Sequence, residues 1–102
     1  MREKFLVVYE HGKGGYSGFA PDILGCISVG KTLAQMRSMM KEAIEGHLEF
    51  MASDGDPLPT PATSTVDFSE FQDPTGEVDH YVVEWLEVSV PTATHSKVAL
   101  TA

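Results

Sequence analysis

Four acidic side chains are of the type that holds catalytic metal ions. Carboxylate oxygens are the usual ligands of Mg²⁺ and Mn²⁺, and a two-metal nuclease site needs several of them close together. Two of the candidates fall on the polar side of a predicted helix, so ordinary surface charge is the simpler interpretation. A metal-dependent nuclease remains a minor alternative, with the candidate ligands Glu10, Asp22, Glu42 and Glu45.

The cysteine and histidine content gives no pattern for catalysis. Nucleophilic catalysis needs Ser or Cys beside a His that a carboxylate orients. The single cysteine, Cys26, lies among apolar residues, which is typical of a buried, inert thiol. No histidine pair has the i, i+4 or His-x-His spacing of a metal site. We therefore predict that the chain has no catalytic residue, no metal site and no cofactor. The histidines considered are His11, His47, His80 and His95.

A glycine-rich stretch, residues 11–15, is the only candidate for a phosphate-binding loop. Such a loop needs a Lys-Ser or Lys-Thr pair that opens a helix, whereas a strand follows here. The stretch is therefore predicted to be a hairpin turn.

A long amphipathic helix is the strongest local prediction. Thr32 and Gln35 have the spacing of a capping box, so the helix should begin near Leu33. Gly55 can adopt the left-handed stop and Pro57 prevents continuation, which leaves a helix of about 20 residues. The apolar face recurs at steps of three and four and comprises Leu33, Met36, Met40, Ala43, Ile44, His47, Leu48 and Met51.

The remaining pattern predicts an α+β fold in the order β-β-β-α-β, an antiparallel sheet with one long helix on one face. Alternating prolines at 56–61 indicate an extended strap after the helix. Phe68 and Phe71 are predicted anchors of the irregular segment that follows. The predicted strands are Phe5–Glu10, Tyr16–Ala20, Cys26–Val29 and His80–Val90, and residues 97–102 alternate weakly as another strand would.

The last strand is apolar on both faces, and such a strand is normally covered on both. One face carries Val82, Leu86, Val88 and Val90, and the other carries Tyr81, Val83 and Trp85. One helix covers only one face, so self-association is the simplest way to cover the second. We therefore expect a homo-oligomer, a dimer or tetramer.

Size and charge narrow the class of protein further. The chain has 102 residues, enough for one domain, and 15 acidic against 7 basic residues give a net charge of −8. This charge argues against binding to phosphate backbones and favours a basic partner. We find neither a membrane span nor a signal peptide, and one cysteine excludes an internal disulfide, so we expect a cytoplasmic protein.

Residues 15–33, GYSGFAPDILGCISVGKTL, carry a more specific pattern. They combine an aromatic strand, a Pro-Asp-Ile-Leu-Gly-Cys turn, a short strand and Gly-Lys-Thr-Leu at the start of the helix. This combination resembles the signature of the HicB family of antitoxins. The similarity continues through the helix at 42–44 and Leu48 and through the proline-rich strap, and it covers residues 5–61.

The resemblance implies a partial RNase H-like fold that has lost its nuclease site, and hence a protein without enzymatic activity. Family members typically neutralise a small, basic HicA-type toxin that cleaves mRNA, and the net charge fits such a partner. The signature turn would then contact the toxin. Trp85, on a strand that is apolar on both faces, suits an oligomer or partner interface, although a place in the core is an equal alternative. The expected partner-binding residues are Tyr16, Phe19, Pro21, Asp22 and Trp85.

The C-terminal part departs from the family pattern. Many relatives carry a ribbon-helix-helix or helix-turn-helix module after the last strand, and few residues follow Val90 here. We therefore divide the chain into a HicB-like domain, residues 1–91, and a tail, residues 92–102, without a complete DNA-binding module. Direct DNA binding is not expected. The alternative function is an orphan oligomeric binding module of the same fold with no toxin partner.

Overall fold

The computed structural model describes residues 1–71, 73 and 76–91, which form one antiparallel sheet and one long helix. This confirms the predicted α+β fold and the order β-β-β-α-β. The pattern at 97–102 lies outside the described residues. The elements are β1 (Arg2–Gly12), β2 (Gly15–Phe19), β3 (Ile27–Gly30), α1 (Leu33–Asp54), a single 3-10 turn (Phe68–Glu70) and β4 (Val78–Ser89).

The sheet order β3-β2-β1-β4 places the first strand of the chain inside the sheet. β1 pairs antiparallel with β2 on one side and with β4 on the other, and β4 accompanies it from Arg2 to Gly12. This double pairing extends β1 beyond the predicted Phe5–Glu10. Its centre, residues 5–9, is buried throughout, as expected for a strand that is covered on both faces.

The other strand limits differ from the predicted ones by one or two residues. Cys26 ends the turn before β3 instead of opening the strand. The last strand begins at Val78 and ends at Ser89, so Val90 lies just outside it. The Val90 N–H still donates to the Met1 carbonyl at 2.7 Å, which holds this end against β1.

Both ends of α1 follow the predicted capping chemistry. The Gln35 N–H donates to the Thr32 hydroxyl at 3.1 Å, and the Gln35 side-chain oxygen accepts from the Lys31 N–H at 2.6 Å. At the other end Gly55 has φ 80°, the left-handed conformation that glycine adopts without steric cost.

One face of the sheet packs against α1 to form the core. Phe5, Val7 and Tyr9 of β1 are fully buried under the helix. β3 approaches the helix closely. A Cβ added to Gly30 would lie only 2.6 Å from the Met36 backbone nitrogen. The helix residues that are buried here are Met36, Met40, Ile44, Leu48 and Ala52, four of them predicted.

Candidate protein-binding surface

The sheet face opposite α1, here called the open face, carries a row of apolar side chains across all four strands. Strand pairing places Val8 directly opposite both Phe19 and Val83, and Ile27 opposite Phe19. Directly paired residues share one face of a sheet. Trp85 extends the open face along β4, opposite Leu6.

The chain itself covers the middle of the open face. The Phe71 ring lies 5.8 Å from that of Phe19 and 5.2 Å from that of Tyr81, so it bridges β2 and β4 across β1. Phe68 packs on Phe71 and Tyr81 at 5.3 and 5.1 Å. Both phenylalanines therefore act as the predicted anchors. This segment covers part of the second face, and the homo-oligomer expected from that face stays a prediction.

The margins of the open face remain exposed to solvent. Ile27 and Val29 of β3 are 66% and 62% exposed, and Val83 and Trp85 of β4 are 37% and 50% exposed. These four residues lie on the two edge strands, on either side of the phenylalanine cover. An exposed apolar surface of this kind on a single chain is typical of a protein interface.

Tyr16 lies on the other face from the rest of the predicted aromatic site. Side chains alternate along β2, so Tyr16 packs at the rim of the helix-covered core while Phe19 faces the open side. The Tyr16 ring contacts the His11 ring, with centroids 4.5 Å apart. Tyr16 therefore does not join Phe19 and Trp85 in one patch.

Asp22 binds the two residues that follow the strap, 62 and 63, and so holds the end of the strap against the turn after β2. Its Oδ2 accepts from the Ala62 and Thr63 N–H groups, each at 2.8 Å, and its Oδ1 accepts from the Thr63 hydroxyl at 2.6 Å. Burial alone would raise the Asp22 pKa, but these hydrogen bonds outweigh it and the pKa falls below its usual value. Neighbouring Pro21 is exposed. Asp22 therefore has a structural role, whatever it contacts outside the chain.

A polar group under the helix joins three elements. The Tyr9 hydroxyl donates to Glu84 Oε2 at 2.9 Å, and Arg37 of α1 binds the same carboxylate. Burial, followed by the hydrogen bond and charge of Glu84, raises the Tyr9 pKa. Glu45 is a second helix carboxylate that contacts the sheet. It was predicted to be on the solvated face, but it is half-buried and accepts from the Ser89 N–H at 2.8 Å.

Two histidines that are far apart in the sequence meet at one end of the sheet. His11 and His80 are paired residues of β1 and β4, and their rings stack with centroids 4.7 Å apart. The Asp79 carboxylate contacts both, with Oδ1 2.8 Å from His11 Nδ1 and 2.5 Å from His80 Nδ1. The hydrogen bond with His11 lowers the Asp79 pKa most; burial opposes it, and the hydrogen bond with His80 adds a smaller lowering.

Sequence spacing missed this cluster, because it compares only residues that are near neighbours in the chain. The available signal was the pairing of the first strand with the last, which brings the end of one to the start of the other. Among the described residues, the only group of three or more His, Cys, Asp or Glu side chains whose ligand atoms converge is His11, Asp79 and His80. The four carboxylates considered as nuclease ligands are not brought together.

Two further observations concern the reactivity of the Cys26 thiol and the possibility of a membrane-spanning helix. Cys26 is buried, and burial raises the pKa of its thiol, which disfavours the reactive thiolate. Among the described residues, no helix combines the length and the apolar content needed to cross a membrane, since α1 is long enough but too polar.

The fold defined above is that of an antitoxin domain. A family model described as the HicB-like antitoxin of bacterial toxin-antitoxin systems matches residues 5–100. The chain therefore belongs to the HicB-like antitoxin family. It is also 35% identical over 71 residues to an uncharacterised 14.9 kDa protein from the rep-hol intergenic region of Haemophilus phage HP1. The match covers 68% of this chain and 53% of the phage protein, so the chain spans about half the length of that relative.

Solved structures show the same fold. A chain of the HicA3 and HicB3 toxin-antitoxin complex is similar with a TM-score of 0.60 and 25% identity, covering 90% of this chain and all (100%) of that one. The N-terminal domain of the Burkholderia pseudomallei antitoxin HicB is similar with a TM-score of 0.55 and 28% identity, with the same coverage of 90% and 100%. These antitoxin structures agree with the sheet and single helix described here.

Proposed function

We propose that this protein is a cytoplasmic antitoxin that binds a small, basic HicA-type toxin and blocks its cleavage of mRNA. The observation that carries the proposal is the match, over 90% of this chain, to a chain of a complex named for a toxin and its antitoxin. Inhibition would be by binding alone, so the antitoxin itself performs no catalysis.

The charge of the chain supports a basic partner. With 15 acidic and 7 basic residues, the net charge is −8. Opposite net charges accelerate the encounter of two proteins and suppress like-charged competitors. This long-range attraction needs no particular pocket, which suits an inhibitor that covers the active surface of another protein.

The signature turn is the proposed contact region for the toxin. Pro21 and Asp22 follow β2 at the protein surface, with Phe19 and Tyr16 on the two faces of that strand. Because Asp22 already binds the strap, the turn has a fixed shape before a partner arrives. A preformed binding surface loses little conformational entropy on association.

We also propose that the exposed margins of the open face mediate self-association. Trp85 and Val83 on one edge strand and Ile27 and Val29 on the other offer apolar surface that water solvates poorly. Tryptophan at the centre of such a surface is a frequent source of binding energy. A dimer or tetramer would bury these residues and leave the signature turn accessible.

The function is tested by recovering and assaying the partner. The tagged full chain would be purified gently from its native host and the bound proteins identified by mass spectrometry. We expect a small basic protein that arrests growth and degrades mRNA when expressed alone, and that stops doing both when this chain is co-expressed. Recovery of the chain only with itself, or a partner whose toxicity it does not relieve, would refute the antitoxin function in favour of an orphan binding module.

The absence of catalysis has a separate test. The purified chain would be incubated with single-stranded RNA and RNA–DNA hybrids in the presence of Mg²⁺ or Mn²⁺. We expect no cleavage above that of a Glu10→Gln, Asp22→Asn double variant. Metal-dependent cleavage that this variant lacks would instead identify a nuclease.

A further inference from the structure

We propose that His11, Asp79 and His80 form a binding site for a divalent transition metal, with Zn²⁺ as the best-fitting ion. Two imidazole nitrogens and one carboxylate oxygen are a ligand set that Zn²⁺ uses in proteins, whereas Mg²⁺ and Ca²⁺ prefer oxygen ligands alone. Of the proposed toxin contacts only Tyr16 borders this site, and the metal proposal does not depend on the antitoxin function.

The ligand atoms are already close enough to share one ion. One ligand atom from each residue lies within 4.8 Å of the other two. Tetrahedral Zn²⁺ with bonds of about 2.0–2.1 Å holds neighbouring ligand atoms about 3.3 Å apart. The Asp79 oxygen lies 2.8 Å from His11 Nδ1 and 2.5 Å from His80 Nδ1, so each pair must separate by less than about 1 Å.

The side chains have room for this adjustment. Asp79 and His80 are more than half exposed, and the His11 side chain is about one-third exposed. In the described structure the Asp79 carboxylate lies between the two Nδ1 atoms and is joined to each of them by a hydrogen bond. A metal ion would replace those protons and join the same three groups by coordination.

A backbone irregularity brings Asp79 to the histidines. β1 and β4 pair His11 with His80 but Gly12 with Val78, so Asp79 is an extra residue in β4 at this point. In a regular strand, neighbouring residues 79 and 80 would point to opposite faces. The bulge turns the Asp79 carboxylate to the side of the His80 ring, and β-bulges commonly re-aim side chains in this way at functional sites.

Three protein ligands leave one tetrahedral position free. Asp79 and His80 are more than half exposed, so the site faces solvent. A depression of about 260 Å³, lined by Glu10 and Glu77 among others, reaches His11 but neither of the other two ligands. Tyr16 closes part of the surroundings, with its ring 4.5 Å from that of His11 and 6.2 Å from that of His80. The free position is therefore open to water or to a side chain of a partner protein.

The proposal is tested with the full chain after treatment with a chelator. Isothermal titration with Zn²⁺ should show one equivalent bound with a dissociation constant of roughly micromolar or below. Because the ion would bind only the folded chain, a hundredfold excess over that constant should raise the melting temperature by roughly 10 °C. Co²⁺ should give the visible absorption bands of a tetrahedral site.

Variants decide whether the ion binds at these residues. His11→Ala and His80→Ala should each weaken Zn²⁺ binding at least tenfold and abolish the Co²⁺ bands. Asp79→Asn keeps the shape of the side chain and should weaken binding without unfolding the protein. His47→Ala, on the helix and outside the cluster, is the matched control and should bind as the unaltered chain does.

Two results would overturn the proposal. One is the absence of Zn²⁺ binding by the unaltered chain at concentrations up to about 100 µM, a range in which a specific three-ligand site would be occupied. The other is Zn²⁺ binding that is the same in His11→Ala, His80→Ala and His47→Ala. In either case the cluster would be a hydrogen-bonded clasp between two strands.

Discussion

Arg37 of α1 and Glu84 of β4 form a two-pronged ion pair that fastens the helix to the edge of the sheet. Arg37 Nε lies 2.9 Å from Glu84 Oε2, and Arg37 Nη2 lies 2.9 Å from Oε1. The same carboxylate accepts from the buried Tyr9 hydroxyl. Glu84 is therefore the shared acceptor of an exposed guanidinium and a buried hydroxyl group. Removing its carboxylate leaves both groups without this partner, whereas removing one donor group leaves the other hydrogen-bonded.

Replacing Glu84 by Ala should destabilise the fold by about 1–3 kcal/mol, because the buried Tyr9 hydroxyl loses its acceptor. Arg37→Ala should cost less, since Tyr9 keeps its hydrogen bond and the guanidinium is half exposed. Urea denaturation of both variants measures the difference. The control is Arg2→Ala, which breaks a 4.0 Å exposed pair with Glu87 and should have no measurable effect. Equal losses for Glu84→Ala and Arg2→Ala would contradict this account.

The hydrogen bonds of Asp22 predict a pH-dependent contribution to stability. Because its folded pKa lies below the unfolded value of about 3.9, ionised Asp22 stabilises the fold at neutral pH, and this contribution is lost as pH falls through the folded pKa. Asp22→Asn should cost about 1–2 kcal/mol at pH 7, and its deficit relative to the unaltered chain should shrink below about pH 4. Denaturant titrations at several pH values test this.

The matched control for this pH dependence is Asp56→Asn, at an exposed aspartate of the strap. It should leave the difference from the unaltered chain close to zero across the same pH range. If the deficit of Asp22→Asn stayed constant down to pH 3, the ionised carboxylate would not be the stabilising species.

Two glycines should respond to alanine in opposite directions. A Cβ on Gly30 would lie 2.6 and 2.7 Å from backbone atoms of Met36, so Gly30→Ala must push the helix away from β3. We expect a loss of about 1–3 kcal/mol. Gly46 lies within α1 with no atom within 4 Å of a new Cβ, so Gly46→Ala should stabilise by about 0.5–1 kcal/mol. Melting curves of both variants distinguish the two cases, and a shift of the same sign would refute the packing argument.

Trp85→Ser should shift the proposed oligomer towards smaller species, because Trp85 is the largest exposed apolar side chain at the margin of the open face. Phe50→Ser is the control, since Phe50 is 70% exposed but lies on the helix. Size-exclusion chromatography with light scattering measures the mass of each. A monomeric unaltered chain, or dissociation caused by Phe50→Ser alone, would exclude the open face as the contact.

The proposed toxin contact is tested by charge reversal in two variants that have the same net charge as each other. Asp22→Lys and Asp56→Lys change the total charge equally, but only the first alters the signature turn. We expect Asp22→Lys to weaken toxin binding at least tenfold and Asp56→Lys to change it by less than about threefold, because a distant exposed charge acts only through screened attraction. Circular dichroism would verify that Asp22→Lys is folded. Similar affinities of the two variants would remove the turn from the interface.

Local chemistry determined the parts of the fold that sequence analysis predicted well. The helix limits follow from Thr32, Gln35 and Gly55, whose capping contacts involve neighbours in the chain. The strand predicted over Phe5–Glu10 also followed from its own apolar residues and lies within β1. The order of the strands did not, since it depends on contacts between distant segments.

The same distinction applies to the candidate sites. Asp22 was predicted to be a partner contact, but its three hydrogen bonds come from Ala62 and Thr63, which no local pattern associates with it. Its role at the interface stays a prediction. His11 and His80 were treated as scattered because their proximity requires the pairing of β1 with β4.

The central position of β1 also determines how the chain can acquire its structure during synthesis. β1 is synthesised well before its partner β4, in which Ser89 pairs with Arg2. Until β4 is synthesised, one edge of the apolar segment FLVVY has no strand beside it, and such an edge is prone to pair with other chains. Long-range pairing also slows folding. The nascent chain is therefore exposed to aggregation at this edge until β4 pairs with β1.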